Sequence, residues 1–113
     1  NIAPRNIEEA LKRNPLIVEA VVIGDRRPYL TALLCLDPTR ASNPASLQAE
    51  LDQWVQTVNT EFARVEHIRR FAVLPRMLTQ EAGELTPTLK LKRNVIVQNW
   101  QTVIDELYQG KDS

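Results

Sequence analysis

Lys90, Lys92 and Arg93 bring three cations into four residues at the end of the stretch GELTPTLKLKR, residues 83–93. Gly83 and Pro87 break any regular element in that stretch, so it reads as a loop. The cations arrive where an amphipathic pattern begins, and cations in the first turn of a helix oppose its dipole at a cost of a few tenths of a kcal/mol each, roughly, when exposed. Two readings follow. The three side chains are solvated charges on a polar turn, or they face an anion that offsets the unfavourable placement. A lysine on such a loop is a long, flexible point charge, suited to phosphate or carboxylate oxygens whose charge grows in a transition state.

Other residue types able to do chemistry are sparse. One histidine and one cysteine, His67 and Cys35, cannot build a zinc or iron cluster, so no metal site is expected. His67 reads as a surface or helix-end residue, and Cys35, inside an apolar run, as a small buried hydrophobe. Three separated glycines make no phosphate-binding loop. Asp25-Arg26-Arg27 reads as a solvated turn and Arg69-Arg70 as a short basic patch. Trp54 and Trp100 fall on apolar helix faces and are expected in the core.

The elements that would position the loop follow from periodicity and punctuation. Asn6 and Glu9 have the spacing of a capping box, with Pro4 in the first turn as the alternative start. Ile7, Ala10 and Leu11 share a helix face that Asn14-Pro15 ends. Residues 16–23 and 29–36 are apolar and β-branched, joined by a turn at 24–28, and predict an antiparallel pair. Asn43 can cap a helix with Pro44 at its first position, and Leu47, Leu51, Trp54, Val55, Val58 and Phe62 extend it over about residues 45–63. Residues 68–74 predict a third strand, and 77–89 are polar and irregular. Ile96, Trp100, Val103, Ile104 and Leu107 predict one final helix from about residue 92, with Gly110 as its stop. The class is α+β: a small antiparallel or mixed sheet of about three strands flanked by three helices.

The 113 residues fit one domain, with 14 basic and 14 acidic side chains and no net charge, a balance that does not point to nucleic acid. No apolar run reaches the roughly 18 to 20 residues of a membrane span. A single cysteine is most simply met in a reducing, cytoplasmic setting. The opening residues, without an initiator Met, read as the interior of a longer chain.

The stretch GELTPTLKLKR resembles the final core motif of the adenylate-forming enzymes, in the form found in long-chain fatty acid–CoA ligases. Asn1 to Glu8 resemble the segment just after their interdomain hinge. Pro15 to Gly24 resemble the helix-to-strand continuation, Tyr29 to Leu33 the next strand, and Leu74-Pro75 fits the spacing to the final motif. The likeness runs over about residues 1–109 and is weakest across 38–56.

The resemblance implies that residues 1–113 are a single C-terminal lid domain, a fragment of a two-domain, ATP-binding enzyme of fatty acid metabolism, with a catalytic loop at about 83–93. The N-terminal adenylation domain would bind ATP and the long-chain fatty acid. Lys90 would be the invariant lysine that bridges the substrate carboxylate and the α-phosphate, with Lys92 two residues away as the competing assignment. Glu84, Thr86, Lys92 and Arg93 would support it. The lid would then rotate for thioester formation with coenzyme A, bringing Asn1, Ile2 and Pro4 near the pantetheine tunnel. ATP, coenzyme A and magnesium belong to the full-length enzyme, and the fragment is expected to bind none of them and to be inactive alone. The full-length enzyme is expected to be cytoplasmic, with peripheral membrane association left open. The loop is expected to be mobile when the partner surface is missing. An acyl–acyl-carrier-protein synthetase or a fatty acyl–AMP ligase would share the adenylation step. A non-catalytic protein- or anion-binding module is the alternative of another kind.

Overall fold

The computed structural model describes residues 2–41 and 43–109. Helix α1, Pro4–Leu11, leads into strand β1, Ile17–Ile23, and a tight turn returns the chain as β2, Leu30–Leu36. Helix α2, Pro44–Asn59, and a short 3-10 turn at Arg64–Glu66 carry the chain to β3, Ile68–Val73. An irregular segment then precedes α3, Arg93–Asn99, and α4, Gln101–Leu107.

The sheet order is β1-β2-β3, with β1 antiparallel to β2 and β2 parallel to β3. A hairpin turn suffices for the first pairing, whereas the parallel pairing requires a crossover, which α2 supplies. The central strand β2 is covered on both faces and is buried from Leu30 to Cys35. That is why it reads as an unbroken apolar run rather than an alternating one. Its period-2 alternation instead sorts two cores. Ala20, Val22, Leu30, Ala32 and Leu34 face α1 and α2, and Val21, Ile23, Leu33 and Cys35 face α3, α4 and the segment after β3.

Several sequence expectations are corrected. The Asn6–Glu9 capping box does not form: α1 starts at Pro4, with Ala3 before it and no side-chain cap. Proline at the first helical position needs no N–H partner and presets the backbone, so the alternative start prevails. Asn43 does cap α2, its Oδ1 accepting from Ala45 N at 2.9 Å and Ser46 N at 3.5 Å. That helix ends at Asn59, short of residue 63. The Asn59 side chain turns to β3 instead, accepting from Ile68 N at 2.8 Å and donating to Ile68 O at 3.1 Å.

Among the described residues there are four α-helices, not three, because the final helix is two. The break falls at Trp100, with φ −113° and ψ 23°. Both pieces keep the predicted buried positions, Ile96, Trp100 and Ile104. Trp100 is in the core, but Trp54 is only half-buried and donates its indole N–H to Leu11 O at 2.9 Å. Arg27 is not merely solvated: its guanidinium lies 4.6 Å from the Tyr108 ring centroid and 3.2 Å from Asp105. Gly110 lies outside the described residues.

Candidate functional site

The loop at 83–93 is a small, tightly bonded hairpin. Lys92 N donates to Glu84 O at 2.8 Å, Thr86 N donates to Lys90 O at 2.8 Å, and Leu85 and Leu91 form an antiparallel bridge between these bonds. Leu89 N donates to Thr86 O at 2.8 Å and closes the turn around Pro87. Thr86 also uses its hydroxyl, accepting from Lys90 N at 3.0 Å. Two hydrogen bonds, one in each direction, therefore join Thr86 to the backbone of Lys90. Gly83 enters the hairpin at φ +76°, a region glycine occupies freely. Leu89 adopts φ +66°, which costs a leucine of order 1–3 kcal/mol unless its surroundings enforce it. This strained residue immediately precedes Lys90.

Two carboxylate–guanidinium pairs hold the ends. At the entrance, Glu84 is fully buried. Arg76 grips it with two hydrogen bonds of 2.8 Å. Thr79 N donates to Glu84 Oε1 at 3.1 Å, and Asn99 Nδ2 and Trp100 Nε1 donate to Oε2 at 3.0 Å each. Five donors on one carboxylate favour its charged form. The hydrogen bonds from Arg76 first, then those from Asn99 and Thr79, outweigh desolvation and hold the Glu84 carboxyl down at about 2. Arg76 also stacks on Trp100, 4.7 Å from its ring centroid.

At the exit, Arg93 donates to both oxygens of Glu8 on α1, at 2.7 and 2.6 Å. Glu8 is buried as well, and its Oε2 accepts from Val22 N in β1 at 2.8 Å. Arg93 thus joins the end of the hairpin to the first helix and the first strand.

Lys90 is exposed at the tip, and among the described residues its ammonium has no ion-pair partner. It borders a shallow groove of about 510 Å³ shared with Pro4, Arg5, Glu9, Lys12 and Glu19. Lys12 is occupied by Glu19, at 3.2 Å. Lys92 is also exposed and immediately precedes α3. Ile2 and Pro4 lie on a second open groove, about 910 Å³, rimmed by Arg26 and Arg27. Pro4 and Arg93 border both grooves, so the two regions singled out by sequence are neighbours. Asn1 lies outside the described residues.

Of the supporting residues, Thr86 shapes the backbone under Lys90, while Glu84 and Arg93 point inward to partners. Sequence reasoning singled out neither Arg76 nor Glu8. His67 caps the 3-10 turn, its ring nitrogen 3.1 Å from Phe62 O. Cys35 is buried, and burial pushes its thiol up. Among the described residues no group of three or more His, Cys, Asp or Glu could hold a metal ion.

The overall fold has counterparts among known proteins. Residues 1–112 match the family described as the AMP-binding enzyme C-terminal domain. The chain belongs to that family. A long-chain-fatty-acid–CoA ligase of Mycobacterium tuberculosis is 36% identical to this AMP-binding C-terminal domain over 126 residues, covering 96% of the chain and 21% of the relative. A long-chain-fatty-acid–CoA ligase of Rattus norvegicus is 33% identical over 144 residues, covering 96% and 20%. The crystal structure of the adenylation domain of a carboxylate reductase from Mycobacterium chelonae superposes with a TM-score of 0.82 at 27% identity, covering 95% of this chain and 18% of that one. The AMP-binding C-terminal domain thus spans only 20 to 22% of the length of these curated relatives. Among its described residues no helix is long and apolar enough to cross a membrane.

Proposed function

We propose that this chain is the C-terminal lid of an ATP-dependent long-chain fatty acid–CoA ligase, and that Lys90 is its adenylation lysine. The observation that carries the reading is the Lys90 tip: an exposed ammonium, without an ion-pair partner among the described residues, on a hairpin whose backbone is fixed from both ends. A cation so presented can serve a site whose remaining walls belong to another domain.

In the first half-reaction the fatty acid carboxylate attacks the α-phosphorus of ATP and pyrophosphate leaves. Two anions must approach, and the Lys90 ammonium between them offsets their repulsion and stabilises the charge that develops. The strained backbone at Leu89 is consistent with a tip held in one geometry for this purpose. Lys92 is the competing candidate: it is exposed as well, but it stands at the hairpin base, immediately before α3, rather than beside the strained turn. In the second half-reaction the coenzyme A thiol attacks the acyl carbon and AMP leaves. The lid would rotate between the two steps, withdrawing Lys90 and presenting Asn1, Ile2 and Pro4 to the pantetheine. A magnesium ion would accompany ATP in the complete enzyme.

The decisive experiment uses the full-length enzyme. Lys90→Ala is assayed for acyl-adenylate formation from fatty acid and ATP, and for thioester formation from supplied acyl-adenylate. Loss of the first by a factor of about 100 or more, with the second retained, is the expected outcome for a residue that stabilises transition-state charge. Survival of both assigns Lys90 to the surface and brings Lys92, or a non-catalytic module, forward. Supplying carrier protein in place of coenzyme A separates the carrier-protein reading, and an adenylate that accumulates even with both acceptors present supports a fatty acyl–AMP ligase.

A further inference from the structure

We infer that Glu8, on α1, is a positioning residue for the adenylation step, acting through Arg93 on Lys90; the inference rests on the assignment of Lys90 above. Three observations converge. Glu8 is a carboxylate on the buried face of α1, where an apolar residue would satisfy packing alone. Its two oxygens are filled by Arg93, in a fork with bonds of 2.6 and 2.7 Å, and by Val22 N at 2.8 Å. Arg93 is the third residue after Lys90 and also reaches Val22 O at 3.4 Å, so the hairpin exit is fixed against both the helix and the sheet.

Planar two-point contacts of this kind fix orientation as well as distance. The entrance pair, Glu84 with Arg76, anchors the hairpin to the α3/α4 side of the sheet, whereas Glu8 with Arg93 anchors it to the α1 side. With only one anchor the hairpin could pivot about the other, and the Lys90 ammonium, at the end of a long side chain, would sweep the largest arc. A displacement near 1 Å at a reacting centre can cost about 100-fold in rate. Glu8 touches no substrate in this account; it sets where Lys90 stands.

The same link has a second aspect. Glu8 follows Pro4 by one helical turn, and Pro4 borders both grooves. The segment that would serve thioester formation and the hairpin that would serve adenylation are therefore neighbours, linked by the Glu8–Arg93 ion pair.

The test uses Glu8→Gln in the full-length enzyme, which keeps the shape and an acceptor for Val22 N while removing the charge and one arm of the fork. Arg93→Lys, which removes the fork from the other side, is the second variant in case the first folds poorly. Both half-reactions are measured, alone and in a Lys90→Ala background. The expected result is a fall of about tenfold in kcat for adenylation with KM within twofold, and thioester formation from supplied acyl-adenylate within twofold of the parent. Within the Lys90→Ala background the same change should have no further effect, because residues acting as a unit are non-additive. A general structural role would lower both half-reactions and would persist without Lys90, and either finding overturns the inference. Normal adenylation in Glu8→Gln and Arg93→Lys, with Lys90→Ala inactive, overturns it while leaving Lys90 in place. A silent Lys90→Ala overturns both.

Discussion

Arg76 and Glu84 meet through two parallel hydrogen bonds of 2.8 Å, across a stretch of irregular chain between β3 and the hairpin. The carboxylate is fully buried, but the arginine side chain keeps 44% of its surface. The pair is therefore an inward-facing anion held by an outward-facing cation, with the Trp100 ring beneath the guanidinium.

Removing the cation should leave Glu84 with three of its donors. Arg76→Ala is expected to destabilise the fold by about 2 kcal/mol, below the ~3–5 kcal/mol of a fully buried pair, because the arginine is half in solvent and Thr79, Asn99 and Trp100 remain. Urea unfolding of the variant and the parent measures the difference. A change under about 0.5 kcal/mol would mark the pair as an ordinary surface contact.

Acid should act on the same carboxylate. The Glu84 carboxyl lies at about 2 in the folded chain against 4.5 for the unperturbed group. A depressed folded value stabilises above the unfolded one, so this contribution is complete above pH 4.5 and is lost as the pH falls toward 2. Glu84→Gln should be less stable than the parent at neutral pH, and the gap should narrow through that window. Thermal melts between pH 2 and pH 7 follow it directly; a gap constant with pH would remove Glu84 as the source.

The two tryptophans should separate. Trp100→Ala empties a buried site and removes a donor from Glu84, so a loss of about 3–5 kcal/mol is expected. Trp54→Ala removes a half-buried ring and one bond to Leu11 O, and its loss should be smaller, about 1–3 kcal/mol. Denaturant midpoints of the two variants order them, and an equal or reversed order would misplace both rings.

Much of the scaffold could be read from local pattern because local physics decided it. Asn43-Pro44 is a cap followed by a helix-starting proline, and both act as their types dictate. Strands β1 and β2 are apolar runs too short for helices, and they pair across a tight turn. The break at Trp100 could not be read, because Ile96, Trp100 and Ile104 keep helical spacing straight through it. At the break the indole donates to Glu84, sixteen residues earlier, a tertiary bond that helical spacing does not reveal. The site was legible in part for the same reason. Three clustered cations beside Gly83 and Pro87 mark the loop, but a glutamate beside a glycine in a polar stretch looks solvated. Only the fold reveals that Glu84 points into the core and that Glu8 waits 85 residues before Arg93.

Strand β1 is an outer strand of the sheet, and such a strand normally offers a row of unpaired N–H groups to any extended chain that meets it. Here Ala20 N donates to Glu19 Oε1 at 3.3 Å and Val22 N to Glu8 Oε2 at 2.8 Å. A foreign strand adding at this edge would have to displace two carboxylates and strand the Arg93 charge. The Glu8–Arg93 pair that steadies the lysine hairpin therefore also shields this edge from aggregating strand to strand.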